Sequence, residues 1–247
     1  MYQFFVKEEQ VGKDFITITG SDVNHMKNVL RMKPGEIVRI SSTAGHDYKC
    51  SVLELTDTFV QLDILDAGVA GTELANKIFL FQALPKGDRM EYVIQKAVEL
   101  GVYEIIPVSM KYCVVKLDQN KAQAKGKRWQ AIAESAAKQS KRSRIPIVHP
   151  VMDFGQAAAY AMKCECRLVP YENERGMQPT RKALQSIKAG ESISVMIGPE
   201  GGFASEEIDA LREHMQVISL GKRILRTDTA AVTMLSTLML HLEMMEP

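Results

Sequence analysis

From residue 77 onward, short apolar runs alternate with helical patterns, and this alternation constrains the fold more than any other feature. Five runs are almost continuously hydrophobic, as strands covered on both faces are: KIFLFQA, EIIPV, CRLVP, SISVMI and QVISL. Helical stretches lie between them, near residues 127–141, 178–189 and 205–215. A further helix ends at Gly101, and its apolar stripe is Met90, Val93, Ile94, Ala97 and Val98. The pattern predicts an α/β domain with a largely parallel sheet.

Residues 1–65 have a different pattern, in which short strands follow one another closely. Five segments are rich in β-branched and aromatic residues: YQFFV, FITI, EIVRIS, YKCSVLEL and FVQLDIL. A short helix is predicted over Ser21 to Arg31, with Ser21 as its N-cap. Together these elements predict a small β-barrel.

The two patterns meet in a stretch of small and polar residues, 66–76, which is typical of a linker. A chain of 247 residues can form two modest domains. We therefore predict a β-barrel domain over residues 1–70 and an α/β domain over residues 71–247.

Charged residues are unevenly distributed along the chain. The formal net charge is +1, but residues 121–144 hold eight basic side chains against one acidic side chain, Glu134. Such a basic helix favours contact with nucleic-acid phosphates, and a solvated charged face is the alternative. Arg128, Lys138 and Arg142 are predicted to share the charged face. The stripe expected to be buried, with its tryptophan in the core, is Trp129, Ile132, Ala133, Ala136 and Ala137.

The cysteines and the start of the chain narrow the class of protein. Cys50, Cys113, Cys164 and Cys166 are too few for a disulfide scaffold, and neither they nor the five histidines have the spacing of metal ligands. We expect buried thiols and no metal.

No apolar run approaches the ~20 residues that cross a bilayer, and the first ten residues do not resemble a signal peptide. We therefore expect a cytoplasmic protein.

Ligands of parallel α/β sheets bind beyond the carboxyl ends of the strands, and three such ends have unusual sequences. SISVMI leads into GPEGGF, whose three glycines expose the backbone to a ligand, although an ordinary tight turn is the alternative. QVISL leads into GKRILRTDTA, where Arg226 precedes a helix that Thr227 or Thr229 can cap. The third loop covers residues 169–174. The glycine-rich signatures of dinucleotide and P-loop sites are missing, which argues against Rossmann dehydrogenases and P-loop NTPases.

The last helical stretch, TAAVTMLSTLMLHLEMM, is apolar around most of its circumference. A helix with this pattern must be buried on several sides. Two arrangements would achieve this: a central helix of the core, or a helix at a homodimer interface. The sequence leaves both open.

Taken together, these segments resemble a known family. GPEGGF followed by LGKRILRTDTA is similar to the SPOUT-class RNA methyltransferases, and most similar to the RsmE-type 16S rRNA uracil-N3 methyltransferases. The resemblance covers nearly the whole chain through FFV, HMKNVLRMKPGE, KGDRMEYVIQKAVELGV and RWQAIAESAAKQSKR. Two positions depart from the family pattern: Gln3 stands where arginine is common, and Asp228 stands where glutamate is expected.

The resemblance implies a PUA-like N-terminal barrel and a C-terminal α/β domain whose chain forms a deep trefoil knot. It implies a homodimer with cofactor sites near the interface. It also implies S-adenosylmethionine as cofactor and 16S rRNA, within the small ribosomal subunit, as substrate. Two alternatives remain: the same fold could act at another RNA position, or the protein could bind ribosomal RNA without catalysis. A third alternative is an α/β enzyme that acts on a small molecule, but that function would not explain the basic helix.

The loops and the resemblance together supply the candidate site residues. Arg226 is assigned the stabilisation of a uracil oxygen, and Asp228, Glu200 and Glu172 are the candidate proton acceptors. The candidate RNA contacts are Arg31, Arg128, Lys138 and Arg142. The residues expected to bind the cofactor are Tyr171, Glu172, Ile197, Gly198, Glu200, Gly201, Gly202, Leu220, Gly221, Ile224, Leu225, Thr229 and Ala230.

Overall fold

The computed structural model describes residues 1–69 and 71–245, which form two compact units. The first unit contains Met1–Glu73 together with Ala137–Ile145, and the second contains Leu74–Ala136 together with Pro146–Pro247. The hydrophobic pattern gave no sign that Ala137–Ile145 belongs with the N-terminal strands. The boundary at residue 70 stays a prediction.

The first unit is built on a five-stranded half-barrel sheet with strand order β1-β3-β4-β5-β2. Strands β1 and β3 pair in parallel, and the other neighbours pair antiparallel. All five predicted strands are present. Their bounds are β1 Tyr2–Val6, β2 Phe15–Thr19, β3 Ile37–Ser42, β4 Asp47–Leu55 and β5 Phe59–Asp66.

Alternate residues of these strands form the core of the first unit, because successive side chains of a strand point to opposite faces. Phe4 and Val6 of β1 face the same core as Ile16 and Ile18 of β2. Further buried members come from every other strand of the sheet and from the helix before β3: Val38, Ile40, Cys50, Val52, Val60, Leu62, Val23 and Met26.

The helical segment of the first unit begins where predicted but is not capped as predicted. Helix α1, Ser21–Asn24, continues as a π-helical turn over His25–Val29. Gly20 occupies the N-cap position with φ 81°, and no side chain caps the helix, so the assignment of Ser21 as N-cap is wrong. Glycine suits this position because a positive φ is costly for other residues.

A buried polar network on Asp47 joins the sheet to Ala137–Ile145. The carboxylate of Asp47 accepts hydrogen bonds from Arg39 Nη2 at 2.7 Å, from Ser41 Oγ and from Ser143 Oγ. Gln3 Nε2 donates to Ser41 Oγ at 2.8 Å and to the Arg142 carbonyl at 2.6 Å. These hydrogen bonds offset much of the cost of burying the polar groups, and Gln3 Oε1 is the buried atom of Gln3 that has no partner among the described residues.

The second unit contains one seven-stranded, entirely parallel sheet. Its order is β12-β10-β11-β6-β7-β8, and β9 also pairs with β7. The strands are β6 Lys77–Ala83, β7 Glu104–Ser109, β8 Ile147–Val148, β9 Met152–Asp153, β10 Cys166–Pro170, β11 Ser192–Ile197 and β12 Gln216–Ile218. The helices after α1 are α2 Arg89–Glu99, α3 Gln119–Ser140, α4 Phe154–Ala161, α5 Gln178–Ser186, α6 Ser205–Arg212 and α7 Thr227–Glu243. The prediction of a mixed α/β fold with a parallel sheet is confirmed.

The sequence analysis missed helix α4 and the two short strands β8 and β9. A helix signal was present for α4: Asp153 accepts a hydrogen bond from Gln156 N at 2.8 Å, while Gln156 Oε1 accepts one from Asp153 N at 3.2 Å. This reciprocal arrangement is a capping box, and its D-x-x-Q spacing is readable in the sequence. Two-residue strands carry too little periodicity to be detected.

Helix α7 buries one stripe of its apolar surface in the second unit and leaves another stripe accessible. The buried members are Ala231, Met234, Leu235, Leu238 and Leu242. On the accessible side Leu240 is 53% exposed. The helix therefore belongs to the core along one face, and its other face remains available for an interface. None of the helices within residues 1–69 and 71–245 is long and apolar enough to span a bilayer.

We predict that Asp47→Asn loosens the first unit. The amide has one acceptor oxygen in place of two, and its NH₂ group faces donors, so removing the buried charge partner should cost about 3 kcal/mol. Hydrogen exchange of the β3 and β4 amides should become roughly a hundredfold faster. Glu54→Gln makes the same charge change at an exposed position of β4 and serves as the control. Equal exchange rates in the two variants would contradict the prediction.

Candidate active site

Three strand ends meet at the carboxyl edge of the parallel sheet. Strand β10 lies between β11 and β12, with Leu168 paired to Val195 and Pro170 paired to Ile218. The loops that follow these strands enclose a cavity of about 320 Å³. Its lining residues are Pro170, Tyr171, Glu172, Ile197, Gly198, Pro199, Glu200, Gly201, Gly202, Phe203, Ser219, Leu220, Gly221, Arg223, Ile224, Leu225, Thr227 and Ala230.

Of the residues predicted to bind the cofactor, all but Thr229 line this one cavity. Thr229 is exposed on the first turn of α7. The lining residues that the sequence analysis did not assign are Pro170, Pro199, Phe203, Ser219, Arg223 and Thr227. Their positions next to the assigned residues in the same loops were the available signal.

The glycines of the GPEGGF loop are needed first by the packing of the protein itself. A Cβ on Gly198 would lie 2.8 Å from the Phe203 ring, and one on Gly201 would lie 2.9 Å from Tyr112 Cβ. Gly202 has φ 73°, and a Cβ there would lie 2.5 Å from Glu172 Oε1. Packing alone therefore requires glycine at these three positions, because a side chain at any of them would displace a neighbouring group.

Hydrogen bonds hold this loop from two neighbouring segments of the second unit. Glu200 Oε1 accepts from Lys86 N at 3.0 Å and from Arg89 Nη1 at 3.4 Å. Buried Glu207 accepts from Ala204 N and from Lys111 N, both at 2.9 Å. The loops after β6 and β7 therefore fix the position of the glycines.

Lys111 also pairs with Glu206 in the first turn of α6. The hydrogen bond from the Lys111 ammonium lowers the pKa of Glu206, and the same hydrogen bond raises the pKa of Lys111. Both side chains are exposed, so this pair contributes little to stability.

Aromatic and cationic side chains close one side of the cavity. The rings of Tyr171 and Phe203 are edge to face, with centroids 6.2 Å apart. The Arg212 guanidinium lies 5.6 Å from the centroid of the Tyr171 ring, and Asn173 Nδ2 donates to Tyr171 Oη at 2.9 Å. Tyr171 is thus held on two sides, which fixes the β10 loop against the glycine loop.

Two hydrogen bonds, which we call the relay, connect the end of strand β6, the start of helix α7 and the loop after strand β11. Gln82, the penultimate residue of strand β6, is 0% exposed, and its Nε2 donates to Thr227 Oγ1 at 2.9 Å. Thr227 Oγ1 in turn donates to the Gly198 carbonyl at 2.7 Å. The relay fixes the start of α7 relative to the glycine loop. A polar residue in the otherwise apolar run KIFLFQA was the sequence signal for it.

Arg226 and Asp228 flank this relay and lie outside the residues that line the cavity. Arg226, with an exposed side chain, is itself the N-cap residue of α7, so the prediction that Thr227 or Thr229 caps the helix is wrong. The Thr227 hydroxyl is occupied by the relay instead. Asp228 is half-buried, and its Oδ1 has no hydrogen-bond partner among the described residues.

The predicted RNA contacts have different surroundings. Arg31 is exposed, with φ 53°. Arg128 is exposed and pairs with Glu91 at 2.8 Å, and Lys138 pairs with Asp22 at 3.5 Å.

The structure contradicts the placement of Arg142 on the charged helix face. Its side chain is 3% exposed and binds Glu73 through two hydrogen bonds, Nε to Oε1 at 2.7 Å and Nη2 to Oε2 at 2.5 Å. Helix α3 ends at Ser140, so the helical spacing used to place Arg142 does not extend to it. Gln3 is likewise buried.

The remaining sequence expectations concern buried groups. Trp129 is buried, as predicted, and Ile132 of the same stripe is half-buried. All four cysteines are buried free thiols, and burial raises the pKa of Cys164 and of Cys166 to about 11. No cluster of three His, Cys, Asp or Glu side chains suited to a metal occurs in the described part of the chain.

Comparisons with known proteins agree with this arrangement. Residues 72–239 match the family model described as an RNA methyltransferase domain, and residues 18–65 match the RNA methyltransferase PUA domain. Ribosomal RNA small subunit methyltransferase E of Bacillus subtilis is 34% identical over 99% of this chain and 98% of its own length. The Mesomycoplasma hyopneumoniae protein of that name is 32% identical over 96% of this chain and 98% of its own.

A solved structure gives the same result in three dimensions. The crystal structure of a ribosomal RNA small subunit methyltransferase E from Neisseria gonorrhoeae bound to S-adenosyl methionine aligns with a TM-score of 0.81 and 31% identity. The alignment covers 96% of each chain. Full-length similarity in sequence and structure therefore shows that this chain belongs to the ribosomal RNA small subunit methyltransferase E family of RNA methyltransferases.

Proposed function

We propose that this protein uses S-adenosylmethionine to methylate N3 of a uridine in 16S ribosomal RNA. The observation that carries the proposal is the cavity at the ends of β10, β11 and β12 in a chain of this family. The volume of about 320 Å³ suits a small cofactor. The Neisseria relative was solved with S-adenosyl methionine bound.

The residues of the cavity fit this cofactor. Its glycine loop has no room for side chains, so backbone groups can approach a ligand closely. Ile197, Leu220 and Leu225 provide apolar walls, and Glu172 provides a carboxylate. We assign cofactor binding to these loops, where the cofactor would supply a methyl group carried on a cationic sulfur.

The part of Arg226 follows from the chemistry of uracil. N3 carries a proton and is a poor nucleophile until that proton leaves, and the resulting negative charge spreads to the carbonyl oxygens. Arginine is too basic to accept the proton, but its guanidinium can stabilise the charged oxygen. Arg226 is exposed directly beside the relay that orients the start of α7.

Of the candidate proton acceptors, Asp228 is preferred to Glu200. Glu200 Oε1 already accepts two hydrogen bonds from N–H groups, so this oxygen is engaged in holding the loop. Asp228 Oδ1 is buried and accepts none from the described residues, and Asp228 stands two positions after Arg226. We propose that the N3 proton moves to the Asp228 carboxylate while Arg226 holds the uracil oxygen.

Several finer features belong to the same proposal. The exposed apolar side of α7, including Leu240, supports a homodimer formed through this helix. The five-stranded sheet and the PUA match support RNA binding by the N-terminal domain, with Arg31 as a phosphate contact. Arg128, on α3 of the second unit, is proposed as a further phosphate contact. We also propose the trefoil knot of the SPOUT class for the C-terminal domain and the small ribosomal subunit as the substrate particle.

The reaction itself can be tested in cells. Digested 16S rRNA from a strain that lacks this protein should lose one N3-methylated uridine in mass spectrometry, and the wild-type gene should restore it. Loss of a different methylated nucleotide would replace the proposed position by another. A complete set of methylated nucleotides would overturn the proposed activity.

We expect Gly201→Ala to weaken binding of S-adenosylmethionine. The new Cβ would meet Tyr112 Cβ at 2.9 Å, so the loop must shift, at a cost of about 1–3 kcal/mol, which corresponds to about 5- to 150-fold in Kd. Gly126→Ala adds the same methyl group in open space on α3 and should leave the Kd unchanged. Calorimetric titration measures both. An unaltered Kd for Gly201→Ala in folded protein would argue against this loop as the cofactor cradle.

For Arg226→Ala, kcat should fall by about 10²- to 10³-fold, because one stabilising donor of the transition state is lost. The Kd for S-adenosylmethionine should stay near the wild-type value, since Arg226 does not line the cavity. Arg181→Ala, at an exposed position of α5, is the control. Near-normal turnover by Arg226→Ala would remove this residue from the mechanism.

A further inference from the structure

The loop between β12 and α7 presents cations at the mouth of the cavity. Lys222, Arg223 and Arg226 are all exposed, and Arg223 and Ile224 also border the cavity. Ile224 stands among them with 77% of its surface exposed. The loop therefore has one side toward the cavity and another side, basic with one apolar residue, toward the solvent.

These cations differ from the basic residues predicted to form the charged face of α3. Arg128, Lys138 and Arg142 each have a carboxylate partner. Within residues 1–69 and 71–245, the side chains of Lys222, Arg223 and Arg226 form neither an ion pair nor a hydrogen bond. These side chains can bind a phosphate without first losing an ion pair with a carboxylate. The binding free energy gained by counterion release is therefore not reduced by the loss of such a pair.

The chemistry of the target defines what this loop must hold. N3 lies on the Watson–Crick edge of uracil, so a base-paired uridine cannot be methylated there. The substrate nucleotide must be unpaired or turned out of its helix, which leaves its flanking phosphates and neighbouring bases exposed. A basic loop with one apolar side chain suits such a strand, because cations bind the phosphates and the apolar surface contacts a base or ribose.

We propose that Lys222, Arg223 and Ile224 form an RNA-binding loop that holds the nucleotides flanking the target uridine. This inference rests on the proposed function, since it concerns the RNA substrate of the same site. Lys222 and Arg223 each contact a phosphate, and the exposed surface of Ile224 contacts a neighbouring base. The loop thereby positions the target base beside Arg226.

The test compares single variants on small ribosomal subunits from a strain that lacks the protein. Lys222→Ala and Arg223→Ala should each reduce the slope of log K against log salt concentration by about 1, because one phosphate contact is lost. Ile224→Ala should weaken binding without changing the slope. Lys222→Ala should keep the wild-type heat of S-adenosylmethionine binding, because Lys222 does not line the cavity.

Lys188→Ala is the matched control. Lys188 is an exposed lysine before β11, at the amino edge of the sheet and therefore opposite the cavity, and its loss should not alter the slope. If wild-type protein methylates the subunits but both cation variants keep its slope, the inference is overturned and the proposed function stands. If wild-type protein transfers no methyl group to the subunits, the proposed function fails first and the inference falls with it.

Discussion

The buried hydrogen-bond relay from Gln82 through Thr227 to Gly198 is the contact on which the site depends. It joins residues that are far apart in the chain: the end of β6, the start of α7 and the first residue after β11. Because Gln82 is fully buried, loss of Thr227 Oγ1 would leave its amide with only the Ala83 carbonyl, at 3.1 Å, as an acceptor. The relay thus ties the glycine loop to the helix that begins beside Arg226. The relay therefore fixes both the shape of the cavity and the direction in which helix α7 begins.

Packing around this relay explains why the loops are so constrained. Phe203 and Tyr112 occupy the space that side chains at Gly198 and Gly201 would need, and Glu207 holds the loop through two backbone N–H groups. Such contacts pre-organise a cavity before any ligand arrives, which lowers the cost of binding. The cations of the β12–α7 loop remain outside this framework. Because these cations have no carboxylate partner among the described residues, they are suited to a second, highly charged ligand.

The first unit shows the opposite use of charge. In the Asp47 network and the Arg142–Glu73 ion pair, charged groups bind one another and thereby attach the segment Ala137–Ile145 to the N-terminal strands. Sequence reasoning treated Arg142 as part of an exposed basic face because it counted charges and helical spacing. Burial and pairing decide whether a cation can meet a phosphate, and neither is visible in a count of charges. A basic stretch in sequence is therefore a weaker guide to RNA contacts than the partners of each cation.

From the amino-acid sequence alone we could predict the two-part pattern, nearly all of the longer strands and helices, and the loops that line the cavity. Hydrophobic periodicity reports burial along each element, and strand ends of a parallel sheet are predictable ligand sites. Only the tertiary structure decided that Thr227 serves the relay rather than the helix cap, and that the glycines accommodate Phe203 and Tyr112. It also decided which cations are neutralised. These outcomes depend on contacts between residues distant in sequence, and local patterns carry no record of such contacts.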